Sequence, residues 1–394
     1  MKTPSPFAMI AALLFITACS PSLEQQADLA MNEVIKELNA LGLSVAVVKN
    51  NRIVYTGAFG TKNIAQGTQI DTDDLFRIAS ISKSFTATAI MQLHEQGKFD
   101  LDDDVGLALG LPVRNPGYPN TPITYRMLLT HTSSLNDTTG YFSYNVIDPQ
   151  KTQEVWRAYN AYAPGTQYEY CNLGYNLLGG IVEIFSGERF DLYVKKHIID
   201  PLGLNADFNV DAFDRSQLVS LYHYVNGEFI ESPGAYRSRA AEIENYTMGR
   251  SAVIFSPTGG MKMAPKDLAV QMLVQMNQGT WNGVQILQPQ SIAAMQAPYD
   301  YLDGRVGDYG FAITTTPDLI QGETLRGHTG SAYGLFSAMY FEPDKKFGFV
   351  MMTNGYPAKH TNGTPLTDHP EEVNNFLTIQ TEAINALYKI FIKK

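Results

Sequence analysis

The stretch 76-FRIASISKSFTATAIMQLHEQG-97 places a serine and a lysine at the start of a helical pattern. Ser80 and Lys83 are three positions apart, and on a helix this spacing puts two side chains on one face, with Cβ atoms about 5–6 Å apart. A serine hydroxyl is a weak nucleophile until a neighbouring base accepts its proton. Free N–H groups at a helix N-terminus also favour negative charge that develops there. The spacing therefore predicts a nucleophile at Ser80 that is activated by Lys83.

A simpler interpretation is that Ser80 caps a helix and Lys83 is a surface lysine. The pattern Ser-x-x-Lys arises about once by chance at ordinary serine and lysine usage, and this chain contains one match. The motif therefore needs support from other parts of the sequence.

A second element, 164-PGTQYEYCNLGYNLLGG-180, contains Tyr170 and Asn172 where a turn enters a predicted helix. A phenol can pass a proton to a leaving group, and an amide can anchor the amine and the amide of a substrate. Tyr118-Pro119-Asn120 and Tyr224-Val225-Asn226 match the same short pattern. The Pro-Gly turn before Tyr170 and the helix start directly after it favour Tyr170.

A third element, 326-RGHTGSAYG-334, contains His328, Thr329 and Gly330 at the predicted end of a strand. The side chains of His328 and Thr329 can bind a carboxylate. A glycine there would let a substrate backbone lie close against the strand edge. Lys346-Phe347-Gly348 is a rival match, but its position in a turn favours a structural role.

Strand patterns lie near both ends of the chain, and helical patterns lie between them. Residues 44–60 form two β-rich runs on either side of Asn50-Asn51, which predicts a hairpin, and further strand patterns occupy residues 310–354. Ser22 and Gln25 have the spacing of a capping box at the start of a helix. The economical architecture is one antiparallel sheet built from both ends, with a helical lobe inserted and a cleft between the lobes.

Taken in order, RIASISKSF, PGTQYEYCNLGYNLLG and GHTGSAYG resemble motifs of the serine β-lactamase and penicillin-binding-protein superfamily. The nearest branches by this resemblance are class C β-lactamases, D-Ala-D-Ala carboxypeptidases and related serine esterases. The resemblance covers about residues 35–355.

The resemblance implies a role for each motif residue. Ser80 would be the acylated nucleophile, Lys83 a proton acceptor, and Tyr170 a proton shuttle and deacylation base. Asn172, with His328, Thr329 and Gly330, would bind substrate. The N–H groups of Ser80 and Ser331 would form the oxyanion hole. Whether Lys83 or Tyr170 accepts the first proton stays open.

The resemblance also implies an α+β fold of the β-lactamase/transpeptidase type, in which helices from the two termini flank an antiparallel sheet. Residues 22–85 and 250–394 are expected to form the α/β lobe, and residues 86–249 the inserted all-helical lobe.

The chain departs from the family pattern at His328, where many relatives carry lysine. Histidine titrates near pH 6.5, so it would lose its positive charge and bind a substrate carboxylate more weakly as the pH rises. Cys171 is either a small buried side chain or, if exposed and acidified, a redox-sensitive thiol. His131 is expected to make structural hydrogen bonds, with a substrate contact as the alternative.

The N-terminal sequence predicts that the protein is exported. Residues 1–18 contain an apolar run too short to span a bilayer, as in a secretory signal, and 16-ITAC-19 resembles a lipobox that would place a lipid on Cys19. Ser20 after it resembles sorting to the outer membrane of a Gram-negative bacterium. We therefore expect a periplasm-facing lipoprotein that is held at the membrane by its lipid.

Composition limits the partners. The chain has 29 Lys and Arg against 39 Asp and Glu, a formal net charge of −10, which disfavours nucleic acid. The histidines show no metal-ligand spacing, and we expect no cofactor, no metal and a monomer.

These observations together predict a serine hydrolase that works through an acyl-enzyme on an amide or ester. The substrate is a small molecule or a peptide, with a D-amino-acid peptide of the cell wall as the first candidate. An esterase or β-lactamase of the same family is one alternative. A penicillin-binding sensor or wall-associated module that is acylated without turnover is another.

Overall fold

The computed structural model describes residues 21–300, 307–358 and 376–393. The predicted signal peptide 1–18 and Cys19 lie outside the described residues. Within the described segments, no helix combines the length and the apolar character needed to cross a bilayer.

The described helices range from one turn to about four turns in length. They are α1 (Leu23–Leu38), α2 (Lys83–Glu95), α3 (Val105–Leu109), α4 (Tyr125–Leu129), α5 (Asn172–Ser186), α6 (Phe190–Val194), α7 (Ala240–Ile243), α8 (Pro265–Met276), α9 (Pro289–Gln296) and α10 (Thr378–Phe391).

The described strands fall near the two ends of the chain, with a few short ones between. They are β1 (Gly42–Lys49), β2 (Arg52–Asn63), β3 (Thr68–Gln69), β4 (Phe76–Arg77), β5 (Ala206–Asp207), β6 (Tyr222–Val225), β7 (Glu228–Glu231), β8 (Lys262–Met263), β9 (Thr280–Trp281), β10 (Val284–Gln285), β11 (Thr314–Thr316), β12 (Leu325–Ala332), β13 (Leu335–Glu342) and β14 (Phe347–Thr353).

The central sheet joins strands from both ends of the chain. Its seven strands have the order β11-β12-β13-β14-β1-β2-β3. All its pairings are antiparallel, and β1 meets β14 in a register that runs from Leu43↔Thr353 to Lys49↔Phe347. The predicted antiparallel sheet built from the two termini is therefore confirmed.

Both faces of this sheet are buried, which explains why its central strands are almost continuously apolar. On β1, Val45 and Val47 point to a core that α1 and α10 cover, whereas Ala46 and Val48 point to a core shared with α2, α5 and α8. Each fully buried valine contributes about 1.5–3 kcal/mol relative to an exposed one. The second core is the one on which the nucleophile's segment rests.

Two local predictions are confirmed at residue level. Asn50 and Asn51 have φ values of 51° and 59°, and this left-handed pair, which asparagine tolerates, closes the β1–β2 hairpin. At the start of α1, the Ser22 hydroxyl accepts the Gln25 N–H, and the Gln25 side chain accepts the Ser22 N–H. Both signals are readable because the interacting residues are close in sequence.

The inserted part of the chain consists mainly of helices and loops. It also contains the two-stranded hairpin β6–β7, in a segment whose sequence lacks strong periodicity. In a small sheet of order β4-β8-β5, strand β8 joins β5 of this inserted part to β4, the strand that leads to Ser80. The predicted lobe boundaries at residues 86 and 249 stay a prediction.

Candidate active site

Ser80 lies on a short connection between β4 and α2. The connection Ala79–Ser82 is a single turn of 3-10 helix, and α2 begins at Lys83. Ala79 has φ = 50°, a left-handed conformation that costs a non-glycine residue about 1–2 kcal/mol. Strain of this kind concentrates at functional sites, where the surrounding structure holds it. Ser80 is thus presented on a tight turn just before the α-helix.

Lys83 reaches back to Ser80 from inside the protein. Its side chain is fully buried, so it is not a surface lysine. Its Nζ lies 3.1 Å from Ser80 Oγ, 2.9 Å from Asn172 Oδ1 and 3.0 Å from the Thr258 carbonyl oxygen. A neutral amine has two N–H groups and one lone pair. The amide and the carbonyl can accept both N–H groups, which leaves the lone pair for the serine proton.

Tyr170 and Asn172 join this pair from the N-terminus of α5. The Tyr170 ring centroid is 4.5 Å from Lys83 Nζ, close enough for a cation–π contact. The rival motifs lie elsewhere, since Tyr118 donates to the Ala161 carbonyl and Tyr224 belongs to β6. The structure therefore brings Ser80, Lys83, Tyr170 and Asn172 together, and their catalytic roles stay a proposal.

Asp137, which no motif in the sequence pointed to, holds Asn172 in place. Its carboxylate accepts the backbone N–H of Asn172 at 2.8 Å, that of Leu173 at 3.0 Å and the Asn172 side-chain amide at 2.9 Å. A carboxylate at this end of α5 also complements the helix dipole. Because Nδ2 donates to Asp137, Oδ1 of Asn172 is fixed toward Lys83.

Replacing Asp137 with alanine should weaken both the fold and the site. The loss of a helix cap costs about 0.5–2 kcal/mol, and a misplaced Asn172 amide should lower kcat/KM by about tenfold or more. Urea unfolding and ester hydrolysis would measure the two effects. Asp148→Ala is the matched control, because Asp148 accepts the Gln150 N–H in a surface turn. Unchanged stability and rate in Asp137→Ala would contradict this role.

Thr258 and Asn172 form a buried cage of hydrogen-bonding groups around the Lys83 amine. Thr258 was not among the residues expected from the sequence. Its Oγ1 donates to Asn172 Oδ1 at 2.5 Å, while its carbonyl accepts from Lys83. The only sequence signal was the Pro-Thr-Gly-Gly cluster at 257–260, which indicates a turn but no partner.

Strand β12 borders the site, and part of one of its edges is left open by the strands that the structure describes. It pairs with β13 from Arg326 to Ala332, but β11 covers only Leu325–Gly327. Among the described residues, no strand pairs with 328–332 on the β11 side. The expectation that the strand ends at His328–Gly330 is wrong, because the turn at Tyr333 and Gly334, with φ of 57° and 87°, lets pairing continue through Ala332.

Gly330 is required by the nucleophile's own turn. A Cβ at Gly330 would lie 2.5 Å from the Ile78 carbonyl oxygen and 3.2 Å from the Ala79 Cβ. Ser337 on β13 donates to the same Ile78 carbonyl at 3.1 Å. The glycine therefore makes room for the segment before Ser80, whereas we had expected it to make room for substrate. The oxyanion hole of Ser80 and Ser331 N–H groups stays a prediction.

His328 does not behave as the titrating cation expected from its sequence. Its ring is 6% exposed. Burial, and then the charge of Lys83, lower its pKa to about 3, against a smaller opposing effect of its bond to the Thr329 carbonyl. The expected titration near pH 6.5 is wrong, because burial of a histidine favours its neutral form.

Cys171 and His131 have structural roles. Cys171 is buried, and burial raises the pKa of its thiol well above the usual value, so the redox interpretation is wrong. His131 Nδ1 accepts the Cys171 N–H at 3.1 Å, as the structural interpretation predicted. Burial lowers the pKa of His131 well below its ordinary value.

Comparison with known proteins gives matches over most of the chain. A family model described as Beta-lactamase matches residues 31–368. Protein flp of Staphylococcus aureus (strain COL) is 23% identical over 342 residues, which are 84% of this chain and 63% of that protein. This chain thus spans less than two thirds of that relative's length.

Solved structures show the same fold. The octameric penicillin-binding protein homologue from Pyrococcus abyssi is 25% identical, with a TM-score of 0.68 over 93% of this chain and 76% of that chain. A β-lactamase/D-alanine carboxypeptidase from Pseudomonas syringae is 20% identical, with a TM-score of 0.67 over 93% of this chain and 98% of that chain. The family model covers most of the sequence, and we conclude that the chain belongs to the β-lactamase family.

Proposed function

We propose that this chain is a serine hydrolase that forms an acyl-enzyme at Ser80 and cleaves an amide or ester, with D-amino-acid peptides of the peptidoglycan type as the first substrates to test. One observation carries the proposal. The Lys83 amine is 3.1 Å from the Ser80 hydroxyl inside a buried cage that supplies acceptors for its other N–H bonds.

Acylation begins when Ser80 Oγ attacks the substrate carbonyl and its proton passes to Lys83 or Tyr170. The C–O bond forms as the carbonyl becomes an oxyanion, which the N–H groups of Ser80 and Ser331 stabilise. The tetrahedral intermediate then collapses and the bond to the leaving group breaks. The leaving group receives a proton through Tyr170, whose ring lies beside the amine.

Deacylation uses water in place of the leaving group. Tyr170 removes a proton from the water, the hydroxide attacks the acyl carbonyl, and Ser80 Oγ leaves with a proton returned from the Lys83–Tyr170 pair. An acid is released and the free enzyme is regenerated.

Two observations support a peptide as substrate. The edge of β12 at residues 328–332 faces no strand among the described residues, and an extended peptide can add to such an edge through main-chain hydrogen bonds. The solved protein from Pseudomonas syringae is described as a β-lactamase/D-alanine carboxypeptidase. An exported lipoprotein, as the N-terminal sequence predicts, would carry this site to the cell wall.

Intact-mass measurement tests the proposal. The protein would be incubated separately with a penicillin, a D-Ala-D-Ala peptide and a short-chain nitrophenyl ester. We expect an adduct on Ser80 with at least one of them, followed by product, and neither in Ser80→Ala. A lasting adduct without product would indicate a sensor, and product from the penicillin or the ester alone would indicate a β-lactamase or an esterase. Equal product release by Ser80→Ala would refute the mechanism.

A further inference from the structure

Both ring nitrogens of His328 are occupied by partners inside the protein. Nδ1 lies 2.5 Å from the Thr329 carbonyl oxygen, and Nε2 lies 2.9 Å from the Tyr309 hydroxyl. Tyr309 is itself 2% exposed, so this contact is shielded from water. The histidine of the third motif is thus part of an internal hydrogen-bonded chain.

The direction of these bonds follows from the acceptor at one end. A carbonyl oxygen can only accept, so Nδ1 must carry a proton. In a neutral ring the other nitrogen is then an acceptor, and the Tyr309 hydroxyl donates to Nε2. The phenol therefore occupies the lone pair on which a second proton would have to bind.

The groups around the ring also oppose a second proton. In its protonated form, Lys83 on α2 opposes a second positive charge on His328. The Tyr170 ring is 6.1 Å away from the α5 side, and His131 interacts with His328 from the end of α4. None of these groups is a carboxylate that could stabilise an imidazolium. The low pKa of His328 agrees with this arrangement.

We infer that His328 brings no positive charge to the substrate, and that Tyr309 is the positioning residue that holds the ring in this neutral state. The site therefore prefers substrates in which the chemical group that lies against β12 is uncharged. The preferred class is D-amino-acid amides and esters, ahead of peptides that end there in a free carboxylate. This inference rests on the proposed acyl-enzyme function.

A matched pair of peptides tests it. One D-Ala-D-Ala peptide carries a free C-terminal carboxylate, and the other is the same peptide as its C-terminal amide. We expect a higher kcat/KM for the amide, and a ratio that stays flat between about pH 5.5 and 8. A fixed cation in His328→Lys should shift the ratio toward the carboxylate by about tenfold or more, the usual scale of a hydrogen bond to a charged group.

A second variant tests the role of Tyr309. In the wild type, nitrogen NMR of the imidazole should show the neutral ring protonated on Nδ1 throughout this pH range. Tyr309→Phe removes the donor to Nε2. Because the Thr329 carbonyl still fixes the proton on Nδ1, we expect the Nε2 resonance to move to that of a ring nitrogen without a hydrogen bond, and kcat/KM for the amide peptide to fall as the ring loses one of its two anchors. Tyr125→Phe is the matched control, because Tyr125 is buried against Phe99, with the ring centroids 4.0 Å apart.

The outcomes separate the two proposals. If wild type is acylated on Ser80 but prefers the carboxylate peptide, or if its ratio changes with a midpoint between about pH 5.5 and 8, the inference about His328 is overturned and the hydrolase stands. An unchanged imidazole spectrum in Tyr309→Phe would overturn the role of Tyr309. If no substrate is turned over and Ser80 is never labelled, the proposed function itself fails.

Discussion

Ser80→Ala, Lys83→Met and the double variant are expected to lose the same share of activity, with kcat/KM lowered by about 10³- to 10⁶-fold in each. In the proposed mechanism the hydroxyl and the amine act as one unit, because the amine, 3.1 Å from Ser80 Oγ, either accepts the serine proton or, beside the Tyr170 ring, helps that phenol to accept it. Once either group has been removed, removal of the other should cause no further loss of activity. Single-turnover acylation and steady-state hydrolysis would measure all three variants.

The fold should survive the loss of the amine. Methionine can fill the volume of the fully buried Lys83, and the loss of the donor to the Thr258 carbonyl and to Asn172 Oδ1 costs about 1–3 kcal/mol. The melting temperature of Lys83→Met should therefore fall by only a few degrees, with the protein still folded at assay temperature. Lys36→Met, at an exposed position of α1, is the matched control and should keep full activity. Losses that add in the double variant would show that the two groups act separately.

Gly330→Ala is expected to lower the rate of Ser80 acylation by about 10²-fold, although Gly330 bears no reactive group. The new methyl group would lie 2.5 Å from the Ile78 carbonyl oxygen, and backbone cannot move aside as a flexible side chain can. Either the turn before Ser80 or strand β12 must shift, and overpacking of this kind also costs about 1–3 kcal/mol of stability.

Rapid-quench labelling of Ser80 and thermal unfolding would measure these two effects of Gly330→Ala. Gly117→Ala is the matched control, since the nearest atom to a Cβ there is 3.4 Å away, on the Asn115 side chain. Acylation at the wild-type rate in Gly330→Ala would mean that the contact with Ile78 does not set the position of the nucleophile.

Features that depend on neighbours in sequence were predictable. The Asn50-Asn51 hairpin and the capping box of Ser22 and Gln25 follow from backbone preferences within a few residues. The contact between Ser80 and Lys83 is of the same kind, because helical geometry alone brings the two side chains to one face. The strands of the sheet were predictable from continuous apolar runs bounded by turns.

Features that depend on distant partners were not predictable from this one sequence. Asp137 meets α5 from a loop, Thr258 meets α2 from another, and Tyr309 meets β12 from a third. Each is a common residue type in an unremarkable local pattern. The pKa of His328 was mispredicted for a related reason, since it depends mainly on burial that the whole fold creates.

The pairing of β1 with β14 has a consequence for how the chain is made. Leu43 on β1 pairs with Thr353 on β14. A chain emerging from the ribosome therefore exposes the apolar edge of its first hairpin until nearly the whole chain has been synthesised. An unsatisfied edge of this kind invites aggregation. A stop codon before β14 would leave a protein that holds the Ser-Lys pair in its sequence but has no partner for β1. We therefore expect truncated chains to need chaperones or to be degraded, so that only full-length copies mature.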